Sequence, residues 1–127
     1  MKKIFTENAK NPGGHYSQAV EHNGLIYISG QLGFFLDDAP GGEVRVGTAE
    51  EQVRNCLISM EEILKAAGSN MNNVIKTTVY VSDGELWGEV NRVYAEVFGD
   101  HKPARAIVPC NELHFGFNVE IEAIASL

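Results

Sequence analysis

Near its C-terminus the chain reads Val119-Glu120-Ile121-Glu122-Ala123-Ile124-Ala125, an alternation with a period of two. Successive side chains of a strand point to opposite faces, so Val119, Ile121, Ala123 and Ala125 go to a core while Glu120 and Glu122, with Ile124, go the other way. Such a strand needs a sheet with one covered face, and two other segments supply the cover. Thr48 with Glu51 three residues on is a capping box. Val53, Cys56, Leu57, Met60, Ile63, Leu64 and Ala67 then recur at helical spacing until Gly68 stops the run. Leu86, Val90, Val93, Tyr94 and Val97 mark a second helix, capped by Ser82 or Asp83 and ended by Gly99.

The remaining apolar runs predict strands. Residues 18–21 and 25–29 flank His22-Asn23-Gly24, a hairpin signal because Asn and Gly both tolerate positive φ. Residues 74–81 are β-branched and aromatic, and residues 104–109 and 117–126 close the chain. Residues 31–47 form a turn-rich loop bearing Asp37, Asp38, Pro40, Gly41 and Gly42, with one optional short strand over 43–46. The order β-β-(β)-α-β-α-β-β predicts an α+β fold, a single mixed β-sheet of about six strands with two helices on one face. At 127 residues the chain has length for one domain, 1–127, and not for two. The helix-free face is then left for another subunit to cover.

Composition excludes several functions. Seventeen acidic against ten basic side chains give a net charge of −7, and no Lys/Arg run breaks the pattern, so nucleic acid is not expected as a partner. Cys56 and Cys110 form no CxxC spacing, and His15, His22, His101 and His114 show no metal-ligand spacing; neither a disulfide framework nor a metal site is predicted. Cys56 falls on the buried helix face, and Cys110 at a strand end reads as an inert thiol. Lys2 and Lys3 precede no apolar stretch, and no segment is long enough to span a bilayer, so a soluble, cytoplasmic protein without membrane contact is expected.

Arg105 is the remaining candidate for chemistry. If Ala104, Ala106 and Val108 face the helices, Arg105 and Ile107 share the helix-free side with Glu120 and Glu122. A hairpin centred near Glu112 and Leu113 would set Arg105 almost opposite Glu120. Two readings stay open at this point. One is a surface ion pair worth at most about 1 kcal/mol. In the other, the guanidinium fork binds an external carboxylate while the acid handles protons. Phe34-Phe35 reads as core or as a pocket wall.

These residues, taken together, resemble the Rid (YjgF/RidA) family of reactive-intermediate enamine/imine deaminases along nearly the whole chain. Thr6-Glu7-Asn8-Ala9 and Gly14-His15-Tyr16-Ser17-Gln18-Ala19-Val20 resemble its TENAP…GPYSQAV opening, with His15 in place of proline. Ile28-Ser29-Gly30-Gln31 matches its SGQ segment. Residues 65–68 and 74–81 resemble its EAAG…VVKTTVFV stretch, and Val90-Asn91 with Tyr94 and Phe98 its following helix. Pro103-Ala104-Arg105 together with residues 119–125 is the most specific part.

The resemblance implies a chorismate-mutase-like fold assembling as a trimer with a central barrel, with sites between subunits. It also implies hydrolysis of 2-aminoacrylate-like acids released by pyridoxal-phosphate enzymes, giving 2-keto acids and ammonia, without a cofactor. Arg105 would hold the substrate carboxylate, assisted by the Ile107 backbone N–H, and Glu120 would position the attacking water and shuttle its proton. Tyr16, Ser29 and Gly30 would line the pocket, and Asn91 would orient Arg105 or the water, or else be an ordinary helix polar residue. Two departures stand out: Ile107 replaces the usual cysteine of Pro-Ala-Arg-Ser-Cys, and residues 111–117 carry unusual aromatic and imidazole content. A non-catalytic small-carboxylate-binding regulatory module is the alternative. The ribonuclease or translation-inhibitor label of some relatives is the least supported, on charge.

Overall fold

Asn23 (φ 52°) and Gly24 (φ 79°) both take the left-handed conformation that a two-residue hairpin turn demands. The turn joins β2 (Ala19–His22) to β3 (Leu25–Leu32), pairing Ala19 with Ile28 and His22 with Leu25. The coordinates form a computed structural model, which describes residues 1–38 and 42–127; Pro40 and Gly41 of the turn-rich loop lie outside them. Outside β2 runs β1 (Lys2–Ile4), a strand too short to read from sequence; its two exposed lysines suit a sheet edge. The optional strand over 43–46 does not form.

α1 (Ala49–Ala66) begins at Thr48 with both hydrogen bonds of the capping box, a device worth about 1 kcal/mol. It ends in a Schellman arrangement: Ser69 N–H donates to Leu64 O and Gly68 N–H to Lys65 O. α2 (Trp87–Phe98) buries Val90, Val93, Tyr94 and Phe98, whereas Val97 is 39% exposed, so Phe98 takes the core place predicted for Val97. β4 (Val74–Val81), β5 (Ala104–Pro109) and β6 (Val119–Ser126) complete a six-stranded sheet in the order β1-β2-β3-β6-β4-β5. Val119, Ile121, Ala123 and Ala125 are buried and the residues between them half-buried, as the alternation requires.

β5 and β6 are not neighbours, which corrects the hairpin expected between them. β4 separates them, antiparallel to β6 and parallel to β5. Parallel strands need a crossover, and α2 is that crossover, so β4-α2-β5 is a βαβ unit. The connector from β5 to β6 passes over the end of β4, where Cys110 N–H donates to Val81 O (2.8 Å) and Ser82 N–H to Asn118 O (2.9 Å).

Candidate functional site

The parallel register pairs Arg105 with Thr77 and Ile107 with Val79. Thr77 and Val79 are fully buried, and the Thr77 hydroxyl is hydrogen-bonded to the Tyr94 hydroxyl of α2 at 2.8 Å. Paired residues share a face, so Arg105 and Ile107 lie on the helix side, while Ala104, Ala106 and Val108 face away. This reverses the expected orientation of β5. The Arg105 Nη1 donates to Asn91 Oδ1 at 2.9 Å, and its guanidinium carbon lies 4.8 Å from the Tyr94 ring centroid and 5.9 Å from that of Trp87. Burial pushes the Tyr94 hydroxyl pKa up, while the Thr77 hydrogen bond and the Arg105 charge act the other way. Among the described residues no carboxylate pairs with Arg105. The guanidinium is thus fixed by neutral groups and keeps donors free for an anion.

Glu120 occupies the other face, paired with Leu32 of β3 and Tyr80 of β4. Between Ile28 and Gln31 the β3–β6 register shifts by one residue, a bulge containing Ser29 and Gly30. The Glu120 side chain lies across Gly30: a Cβ there would meet Oε1 at 2.2 Å. Only glycine leaves that space. Burial raises the Glu120 pKa from its ordinary value, the Glu122 charge adds to the effect and the His114 charge opposes it. Glu122 itself accepts from the Tyr80 hydroxyl at 2.9 Å.

Beside the bulge is a cavity of about 310 Å3 lined by Tyr16, Gly30, His114 and Phe115 among others. Ser29 donates its hydroxyl to Ser17 O (2.6 Å), tying the bulge to the Tyr16 segment. The candidate residues therefore separate into two groups. Tyr16, Ser29, Gly30 and Glu120 gather at the bulge, and Arg105, Asn91 and Ile107 gather under α2. Three residues along and two strands across separate Arg105 from Glu120, about 14 Å between backbones, with the side chains on opposite faces. The expected cross-strand pair does not exist within one chain.

Gln52 supports the Glu120 strand and was not legible as a site residue. It is fully buried on α1; its Oε1 accepts from Asn118 N–H (2.8 Å) and Val119 N–H (3.1 Å), and its Nε2 donates to Gly47 O and Asn118 Oδ1. The sole signal was a polar residue next to Val53 at the start of the buried helix face. Cys56 is buried with its thiol pKa pushed far up by desolvation, as an inert core thiol requires. Among the described residues no group of three or more His, Cys, Asp or Glu side chains could hold a metal ion, and no helix is long and apolar enough to cross a membrane.

Comparison with known proteins agrees with this fold. The family model described as Endoribonuclease L-PSP matches residues 6–127. The chain is 46% identical over 119 residues to the 2-iminobutanoate/2-iminopropanoate deaminase of Homo sapiens, covering 92% of this chain and 85% of that protein. It is 44% identical over 122 residues to a RutC family protein of Pyrococcus horikoshii, covering 96% and 94%. Among solved structures, E. coli TdcF with bound serine superposes with a TM-score of 0.91 at 31% identity, covering 100% of this chain and 99% of that one.

Proposed function

The chain belongs to the Endoribonuclease L-PSP (Rid, YjgF/RidA) family, and from that premise we propose that it hydrolyses 2-imino and 2-enamino acids to 2-keto acids and ammonia, in sites formed between the subunits of a homotrimer. The observation that carries the reading is the Arg105 guanidinium, oriented by Asn91 and Tyr94 and, among the described residues, paired with no carboxylate. A carboxylate-bearing substrate is its natural complement, accepted as a two-point fork with the Ile107 N–H beside it. Because Glu120 lies on the opposite face, the complete site takes Arg105, Asn91 and Ile107 from one copy and Tyr16, Ser29, Gly30 and Glu120 from the next.

A protonated imine is already electrophilic, so placement and proton transfer suffice and no cofactor enters. Ionised Glu120 takes a proton from water as the oxygen bonds to the imine carbon. The same proton then passes to the nitrogen of the tetrahedral adduct, which leaves Glu120 ionised again; the C–N bond breaks and ammonia leaves as Glu120 takes the adduct's hydroxyl proton, the carbonyl forms, and that proton passes to the released ammonia. A carboxyl with a raised pKa suits both transfers. The cytoplasm, where pyridoxal-phosphate dehydratases release such acids, is the proposed place of action. Ribonuclease activity, which the family description names, sits poorly with a net charge of −7.

Subunit mixing tests this reading. Arg105→Ala and Glu120→Gln proteins, each assayed alone in a dehydratase-coupled reaction, are expected to be inactive. Denatured and refolded together, they regenerate a wild-type Arg105/Glu120 pair at one interface of every mixed trimer, about a quarter of all sites on random mixing. No recovery, with mixed trimers present, refutes the shared site. A wild-type protein that binds 2-keto acids without accelerating imine hydrolysis is a carboxylate-binding module instead.

A further inference from the structure

The cavity at the bulge has an aromatic wall that hydrolysis of a three-carbon imine does not require. Phe34 packs edge-on against Phe115 (5.7 Å between centroids) and Phe117 (4.9 Å), and the His114 ring lies tilted by 50° against Phe115 with centroids 3.8 Å apart. Phe115 is held at φ 59°, ψ 14°, a left-handed conformation that a bulky side chain adopts only under constraint. Burial does not account for it, since the residue stays 52% exposed. The ring lines the cavity together with Gly30, against which the Glu120 carboxylate lies.

From this wall we infer that the cavity is a side-chain subsite and that the preferred substrates are 2-imino acids bearing an aryl or large apolar side chain. The inference rests on the deaminase reading and deepens it. At about 310 Å3 the cavity is at the lower end of the range of small-molecule pockets. The side chain of 2-aminoacrylate would touch one wall of it. A benzyl group would reach the exposed faces of Phe34 and Phe115 in the offset or edge-on contacts that aromatic rings prefer.

The test supplies imines from D-phenylalanine and D-alanine with a D-amino-acid oxidase and follows their hydrolysis in competition with semicarbazide. The wild type is expected to favour the phenyl imine by about tenfold in kcat/KM. Phe115→Ala should lose about tenfold on that substrate and less than about twofold on the methyl imine. Phe115→Gly, which relieves the backbone constraint, should show the same selectivity loss with no fall in melting temperature. The subsite is overturned if the wild type favours the methyl imine, if both imines lose equally, or if the variants change the size of the assembly. Phenylpyruvate and pyruvate binding separates the two claims when neither imine is turned over. Tighter, Phe115-dependent phenylpyruvate binding keeps the subsite and discards hydrolysis; equal binding discards both.

Discussion

Gly30 is the position where a single methyl group should separate catalysis from folding. Alanine there puts Cβ 2.2 Å from Glu120 Oε1, 2.9 Å from Cδ and 3.2 Å from Cγ, whereas ordinary contacts begin near 3.4 Å. The carboxylate must therefore retreat by about 1 Å. It is the free end of a flexible side chain, and the backbone at Gly30 needs no positive φ. The adjustment should therefore cost about 1 kcal/mol of stability, the scale of an off-rotamer side chain. For a domain of this size that is a few degrees of melting temperature. A 1 Å misplacement of a reacting group costs on the order of 100-fold in rate, about 2.7 kcal/mol. The expected result for Gly30→Ala is thus a folded protein with kcat/KM down about 100-fold in imine hydrolysis. Binding of a 2-keto acid should change little, because Arg105 is untouched. A variant within threefold of wild-type activity would refute the claim that Glu120 must lie against Gly30 to work.

Three further outcomes follow from the same geometry. Burial holds the Glu120 pKa above its unfolded value, so the folded chain binds that proton more tightly and the ionised carboxylate opposes folding at neutral pH. Glu120→Gln should melt above wild type at pH 8, with the advantage fading as pH falls through the raised pKa and absent below about pH 4; a lower melting temperature at pH 8 contradicts the sign. Gln52→Leu should cost roughly 3 kcal/mol in denaturant unfolding, because it strands the N–H groups of Asn118 and Val119 and the Gly47 carbonyl, and a loss under about 1 kcal/mol would mean water replaces the amide. Arg105→Lys should regain little of the activity that Arg105→Ala loses, since a lysine offers a point charge in place of a fork; near-full rescue would mean that charge alone is recognised.

The sheet and its helices were legible because their signals are local. A capping box, an Asn-Gly turn and a strand alternating over seven residues each fix structure within one element. The orientation of β5 was not, because its own alternation was read without its partner. Ala104, Ala106 and Val108 resemble a core face, yet Ala104, Ala106 and Val108 are exposed and the polar Arg105 points at a helix. The missing clue was the strand-helix-strand order of residues 74–109, which implies a parallel pair and a helix lying over both strands. Gln52 was hidden for a different reason. A glutamine in an amphipathic helix is ordinary until the fold brings two unpaired N–H groups of a distant strand to it. The one-residue bulge at Ser29 and Gly30 leaves no mark in the sequence except the glycine itself.

The features that cost this chain stability fall at the two separate groups of candidate residues. Glu120 carries a partly desolvated charge, Phe115 sits in a left-handed conformation with half its surface exposed, and Arg105 keeps guanidinium donors without an anion. On the helix-free face Tyr27 and Val108 stay 45% and 37% exposed. Each is unfavourable in a solitary chain, and the proposed function would relieve each of them, through a substrate between the two halves of the site or a second copy against the open face. The small side chains of Ala104 and Ala106, set beside Arg105 on the edge strand, leave the backbone open to a close approach there. β5 is an edge strand, and a row of unpaired N–H and C=O groups invites a neighbour. Under the proposed function, assembly and catalysis become one requirement, because each chain would carry two half-sites that only a second copy completes.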